Sequence, residues 1–225
     1  MPRAVFFDLD GTLHDRASTL RGWLAGHVQR FGLPEAYAAR FTELDDFGYR
    51  SKAEVFPELV AEFGLGHGAQ ALLDDYRGTL LGTPCLMPHA AEVLTALRSR
   101  GVRTAVVTNG LPGWVGAQRR CVERLGLAPL LGDVLDSVEV GLSKPNPALY
   151  RLALERLGVA ADTWFVGDSP RNDVWGPQQV GIRAAYLPTG HLLGDEKPDA
   201  VLHDLRGVLE LTLFALDIQP VVSKI

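Results

Sequence analysis

Four short polar clusters carry the side chains most suited to chemistry: Asp8-Leu9-Asp10-Gly11-Thr12, Thr108-Asn109-Gly110, Ser143-Lys144-Pro145, and Gly167-Asp168-Ser169 with Asp173 further on. Carboxylates brought together repel one another and need a cation to offset them. Hard oxygen ligands with few histidines or cysteines favour Mg²⁺ over Zn²⁺. A carboxylate beyond those needed for the metal can attack phosphorus and form an acyl-phosphate. A lysine would then neutralise the phosphoryl charge, and the Thr108 hydroxyl with backbone N–H groups would hold its oxygens. Lysine is scarce, present only at 52, 144, 197 and 224 against 18 arginines, which makes Lys144 more informative than an average lysine.

For these clusters to meet, the elements before them must end on one rim. Each follows, or nearly follows, a short apolar run. The runs are Ala4 to Phe7, Arg103 to Val107, Val134 to Val138, Thr163 to Val166 and Arg183 to Leu187, with a weaker one at Ala200 to Leu202. Short uninterrupted apolar runs suit strands buried on both faces of a parallel sheet. Helical patterns alternate with them over Ala90 to Arg100, Trp114 to Leu125, Pro147 to Leu157, Asn172 to Val180 and Leu205 to Leu216. Glycines 101, 126, 158 and 181 follow the first four. Strand alternating with helix is the pattern of a doubly wound, Rossmann-like α/β sheet, in which ligands bind beyond the carboxyl ends of the strands.

Between His14 and about Pro84 the rhythm breaks. Only helical segments are expected there, over Ser18 to Phe31, Pro34 to Leu44, Ser51 to Phe63 and Gly68 to Leu81. The expected division is a core of residues 1–13 and 86–225 and an all-helical insertion of residues 14–85. The tail from Gln219 to Ile225 is expected to be loosely held.

Composition narrows the class. The net charge is −5 with no basic run, so nucleic acid is not an expected partner. No apolar run approaches the roughly 20 residues of a membrane span, and Asp8 interrupts the first apolar segment early. A cytoplasmic protein, monomeric or homodimeric, that touches neither membrane nor nucleic acid is expected. Cys85 and Cys121 are too few for a disulfide framework and stand by no base, and the histidines show no ligand spacing.

The motifs in this order resemble the haloacid dehalogenase-like (HAD) hydrolase superfamily, in its phosphatase branch with a helical cap. Asp8-Leu9-Asp10-Gly11-Thr12-Leu13 after an apolar strand and Val166-Gly167-Asp168-Ser169-Pro170-Arg171-Asn172-Asp173 carry most of the likeness. The resemblance implies that Asp8 is the nucleophile and a Mg²⁺ ligand. It implies that Asp10 is the general acid and base, with its backbone carbonyl on the metal. Thr108 would bind a phosphoryl oxygen, Asn109 would support it through its backbone, and Lys144 would bridge Asp8 and the phosphoryl group. Asp168 would be a direct metal ligand and Asp173 a ligand, a holder of ligands, or simply a helix cap. Dehalogenases of the superfamily carry an aromatic residue in place of the second aspartate, so Asp10 favours phosphoryl transfer.

In this family the cap covers the site and supplies leaving-group contacts. Arg50 and Lys52, at a helix start in the insertion, are the expected substrate-binding residues there. His14 follows the first motif, where the family turns toward the cap and a residue could face the substrate, but a surface position is expected, while Trp114 and Trp175 read as packing or rim aromatics. The expected activity is Mg²⁺-dependent hydrolysis of a small phosphorylated metabolite, of nucleotide or sugar phosphate class, through an aspartyl-phosphate. The alternatives are a phosphosugar mutase of the same fold and a non-catalytic HAD-fold binding protein.

Overall fold

All four side chains of Ala4-Val5-Phe6-Phe7 are buried, as a strand covered on both faces requires. In a computed structural model of the protein, whose described residues are 4–160 and 162–211, this segment is β1 (Ala4–Phe7). It lies inside a six-stranded sheet with β2 (Arg103–Thr108), β3 (Asp133–Asp136), β4 (Thr163–Gly167), β5 (Arg183–Tyr186) and β6 (Ala200–Val201). The spatial order is β3-β2-β1-β4-β5-β6 and every pairing is parallel. The fold is therefore doubly wound and Rossmann-like. The chain moves to the opposite side of β1 between β3 and β4, the switch point where such sheets open a crevice. Phe7 pairs with Val106 on one side and Val166 on the other, so the ends of β1, β2 and β4 share one rim.

The chain forms two compact units, Met1–His14 with Leu86–Ile225, and Asp15–Cys85. The second unit contains α1 (Arg16–Phe31), α2 (Tyr37–Asp45), α3 (Lys52–Phe63) and α4 (Ala69–Thr79), with no strand among its described residues. Asp15 starts α1 by accepting the Ser18 N–H, and Gly32 ends it in the left-handed conformation. Trp23, Phe41, Phe56 and Tyr76 form an aromatic core inside this unit.

In the first unit the helices are α5 (Ala90–Ser99), α6 (Ala117–Arg124), α7 (Pro147–Leu157) and α8 (Gly207–Leu211). Asn146 caps α7 through the Ala148 N–H, Pro147 takes the first position, and Gly158 closes it. Its inner face, Leu149, Tyr150 and Ala153, packs on Phe6, Ala105, Val107 and Phe165 of the sheet. Among the described residues no helix is long and apolar enough to cross a membrane.

Three expected elements differ in detail. β3 stops at Asp136, because the Asp136 carboxylate caps a helical turn, Ser137–Val140, by accepting the Val138 N–H at 2.9 Å. The Trp114 helix begins only at Ala117, after Gly113 and Gly116 adopt left-handed backbone. The segment expected as a helix from Asn172 is a wide π-type turn, Pro170–Trp175, followed by a short Gly176–Gln178 turn. Pro177 has no N–H to continue an α ladder, and the Tyr150 hydroxyl donates to the Asn172 carbonyl at 2.5 Å. The last expected helix and the tail lie partly or wholly outside the described residues; Gly207–Leu211 is the helical part within them.

Candidate active site

The Asp8 N–H donates to the Val166 carbonyl at 2.9 Å, prolonging the β1–β4 ladder by one residue and anchoring the backbone at the rim. Beyond it the chain turns sharply. The Leu9 carbonyl accepts from the N–H groups of Thr12, Leu13 and His14, and Gly11 adopts φ of 79°, a conformation that suits glycine. Asp8 is buried, while the Asp10 side chain keeps 32% of its surface exposed and faces outward from the turn.

The long loop after β3 brings Lys144 to this rim. Its Nζ lies 2.7 Å from Asp8 Oδ1 and 2.8 Å from Asp173 Oδ1. The lysine backbone is clamped by the end of β2: the Lys144 N–H donates to Asn109 Oδ1 at 2.8 Å, and Asn109 Nδ2 donates to the Lys144 carbonyl at 3.0 Å. The Asn109 side chain therefore positions the lysine loop. Thr108, one residue earlier, is buried at the end of β2.

After β4, Asp168 leads into the wide turn. Ser169 accepts the Asn172 N–H, and its own N–H donates to Asp173 Oδ2 at 2.9 Å. Asp173 is fully buried, and Ser169 rather than Asp173 caps the turn. Asp8, Asp168 and Asp173 each offer an oxygen within 4.8 Å of the others.

Three carboxylates around one ammonium leave an excess of negative charge. Burial pushes Asp8 up to about 7, against the pull of Lys144 and with the repulsion of Asp173 and Asp10. Burial and the neighbouring Asp8 and Asp173 push Asp168 up to about 9. Burial opposes the charge of Lys144, but the Asp173 and Asp8 carboxylates hold its ammonium above the usual lysine range. An all-oxygen donor set with unbalanced negative charge fits a hard divalent cation such as Mg²⁺.

Glycines make room for this cluster. A side chain at Gly11 or Gly190 would collide with the Asp168 carboxylate, and one at Gly167 with that of Asp173. Thr189 Oγ1 donates to the Gly11 carbonyl at 2.5 Å, tying the loop after β5 to the first motif. Gly190 and Thr189 were missed in the sequence. The signal was available, because they follow the fifth parallel strand and so reach the same rim.

His14 corrects an expectation. It is completely buried rather than exposed, and its Nδ1 lies 2.6 Å from Asp10 Oδ1. The turn folds residue 14 back beside residue 10, with bridges from His14 to Asp10 and to Leu86. Gln118, also buried, places Nε2 at 3.4 Å from Asp10 Oδ2.

The structure brings Asp8, Asp10, Thr108, Asn109, Lys144, Asp168 and Asp173 to one rim of the first unit. Arg50 and Lys52 belong to the helical unit. Lys52 is buried, with Nζ 2.8 Å from Asp45 Oδ1 and 2.6 Å from the Arg50 carbonyl, and Arg50 pairs with Glu58. Trp175 is half-buried beneath the Arg171 guanidinium, 3.4 Å from the ring centre. Burial pushes the Cys121 thiol up, away from reactivity.

The fold and this rim define a HAD-type hydrolase core. The chain belongs to the haloacid dehalogenase-like hydrolases, whose family model matches residues 2–181. It is 40% identical over 126 residues to a phosphoserine phosphatase of Thermus thermophilus, a match covering 55% of this chain and about half, 49%, of that protein. It is 32% identical over 203 residues to a phosphoglycolate phosphatase of Rhodospirillum rubrum, covering 85% of this chain and 81% of that one. A crystal structure described as a HAD-hydrolase from Bacillus subtilis bound to magnesium shares the fold at TM-score 0.79 and 21% identity, over 93% of this chain and 97% of that one.

Proposed function

We propose that the protein is a Mg²⁺-dependent phosphatase that hydrolyses a small phosphorylated metabolite, of nucleotide or sugar phosphate class, through an aspartyl-phosphate. The observation that carries this reading is the approach of Lys144 Nζ to a buried strand-end carboxylate, Asp8, with a second, outward-facing carboxylate two residues on. The names of the phosphatase relatives support the reaction class.

In the first step an Asp8 oxygen attacks phosphorus and the bond from phosphorus to the leaving oxygen breaks. Asp10 gives its proton to that oxygen, so an alcohol departs. In the second step Asp10 takes a proton from water, the water oxygen attacks phosphorus, and the acyl-phosphate bond returns its electrons to Asp8. Inorganic phosphate leaves and both carboxyl groups are restored. Lys144 balances the phosphoryl charge, while the Thr108 hydroxyl and the Asn109 backbone N–H hold phosphoryl oxygens. Asp8, Asp168 and Asp173, with the Asp10 carbonyl, would hold Mg²⁺. When bound it supplies the positive charge that lets the carboxylates ionise together and neutralises the phosphoryl group. Arg50 and Lys52 are the proposed substrate contacts from the helical unit.

Dehalogenation, from which the family takes its name, expels a halide that needs no proton, and Asp10 would then have no leaving oxygen to protonate. Phosphate release from a panel of nucleotides and sugar phosphates, with Mg²⁺ present or chelated, tests the proposal. Mg²⁺-dependent release from a few members supports it. Isomerisation stimulated by a bisphosphate, with little phosphate released, would replace it with a mutase.

A further inference from the structure

We propose that His14 is a positioning residue for the general acid and base, fixing the Asp10 carboxylate through Oδ1 and directing its proton to Oδ2. The inference rests on the phosphatase reading above and deepens it at the same site.

The geometry is specific. His14 has no exposed surface, yet it stands in a turn beside a rim, where an apolar side chain like that of Leu13 would fill the space at no polar cost. Its Nδ1 is aimed at Asp10 Oδ1, 2.6 Å away. The backbone enforces that aim, because the Gly11 N–H donates to the His14 carbonyl at 2.9 Å and the His14 N–H donates to the Leu9 carbonyl at 2.8 Å. Gln118 Nε2 approaches the other oxygen, Oδ2, at 3.4 Å and lies the same distance from the Asn109 carbonyl. The carboxylate is thus met on each oxygen by a separate buried side chain.

This arrangement bears on proton transfer. An ionised Asp10 can only accept, so the histidine proton sits on Nδ1 in that state. With Nδ1–H on Oδ1, the proton that Asp10 acquires resides on Oδ2. From there it can pass to a leaving alkoxide without first breaking the bond to His14. An aspartate lacking that anchor would rotate about its side-chain bonds and present the wrong oxygen for much of the time, and alignment of that kind governs general acid catalysis.

The leaving group separates this role from packing. An alkyl phosphate needs its departing oxygen protonated, whereas p-nitrophenyl phosphate expels a stable phenolate with little help. Values of kcat/KM for both esters report the steps up to leaving-group departure, so hydrolysis of the aspartyl-phosphate does not enter. The experiment measures both esters with wild type, Asp10→Asn, His14→Leu and His14→Asn, the last retaining a donor near the Nδ1 position. The expected result for His14→Leu is a loss of about 10- to 100-fold on the alkyl ester and less than about threefold on the aryl ester, with His14→Asn recovering most of the difference. Should the leucine variant fail to fold, His14→Gln, which displaces the donor by a methylene, is read in the same way. Equal losses on the two esters, or no loss on either, overturn the positioning role and leave Asp10 as the acid. If Asp10→Asn itself does not distinguish the esters, the general-acid reading fails first and the proposal falls with it.

Discussion

Lys144 Nζ reaches Asp8 Oδ1 at 2.7 Å across 136 positions of sequence, and the same ammonium touches Asp173 Oδ1 at 2.8 Å. One buried cation thus joins the end of β1 to the turn after β4. Its strength comes from seclusion, since both partners are screened from water and the contacts are charge-assisted.

Lys144→Ala is expected to lower kcat by about 100- to 1,000-fold at saturating substrate, the scale of losing a preorganised charge at a transition state. Lys144→Arg should not restore the rate, because the guanidinium is larger and its fork does not fit a slot shaped for a point charge. Steady-state kinetics on a hydrolysed ester check this. A variant whose only defect is a raised KM would show that the lysine acts in binding alone.

Asp8, pushed up to about 7, and Asp168, pushed up to about 9, hold protons that the proposed divalent ion would have to displace. Both folded-state values lie above the unfolded carboxyl value, so the native state holds more protons over that window. Stability of the metal-free protein should therefore fall as pH rises from about 5 to about 9, and the stabilisation gained on adding Mg²⁺ should grow over the same range. Thermal melts in chelator and in Mg²⁺ across that range measure both trends. Asp168→Asn should flatten the first and abolish the second; a Mg²⁺ increment independent of pH would count against the cluster as its site.

The crowding of Asp168 by glycines yields a subtler variant. Gly190→Ala places a methyl against the Asp168 carboxylate without removing any ligand. Activity at limiting Mg²⁺ should drop about tenfold and recover largely at high Mg²⁺, the usual scale for disturbing what orients a ligand. Titration of activity against Mg²⁺ decides it, and an unchanged half-saturation would mean that the carboxylate yields freely.

What the sequence revealed depended on how local each cause is. The polar ends of β1, β2 and β4 were legible because parallel strands deliver their carboxyl ends to one rim, and Asp8, Asp10, Thr108 and Asp168 follow apolar runs directly. The wide turn at Pro170–Trp175 was not, because part of its cause is the hydroxyl of Tyr150, 22 residues away from the carbonyl it holds. His14 read as a surface residue because a histidine after a turn has no local mark of burial; Leu86, 72 residues further along the chain, bridges to it. Asn109 was read for its backbone, yet its side chain grips the Lys144 loop, a pairing that exists only once β2 and that loop meet.

The helical unit offers a test read by stability rather than by turnover. The Asp45 side chain is 2% exposed and accepts from Arg16 through both oxygens, at 2.6 and 2.7 Å, and pairs with Lys52 Nζ at 2.8 Å. Burial works against its charge, but Arg16 and Lys52 outweigh burial and hold it below the usual carboxylate range. Burial acts more strongly on Lys52, whose ammonium is held below the usual lysine range despite Asp45. A depressed folded-state carboxyl contributes stability that is present above the unfolded value of about 3.9 and is lost only as pH falls through the lower folded value. Asp45→Asn removes the shared carboxylate and leaves two cations facing one another, at a cost of about 3 kcal/mol. Adding Lys52→Met, which removes one of those cations and keeps the length of the side chain, should recover a good part of that loss. Urea unfolding followed by circular dichroism at neutral and acidic pH compares the three proteins. The gap between wild type and Asp45→Asn should persist at mildly acidic pH and close only at strongly acidic pH, and a gap that closes near neutrality would show that this triad is not what holds the start of α3.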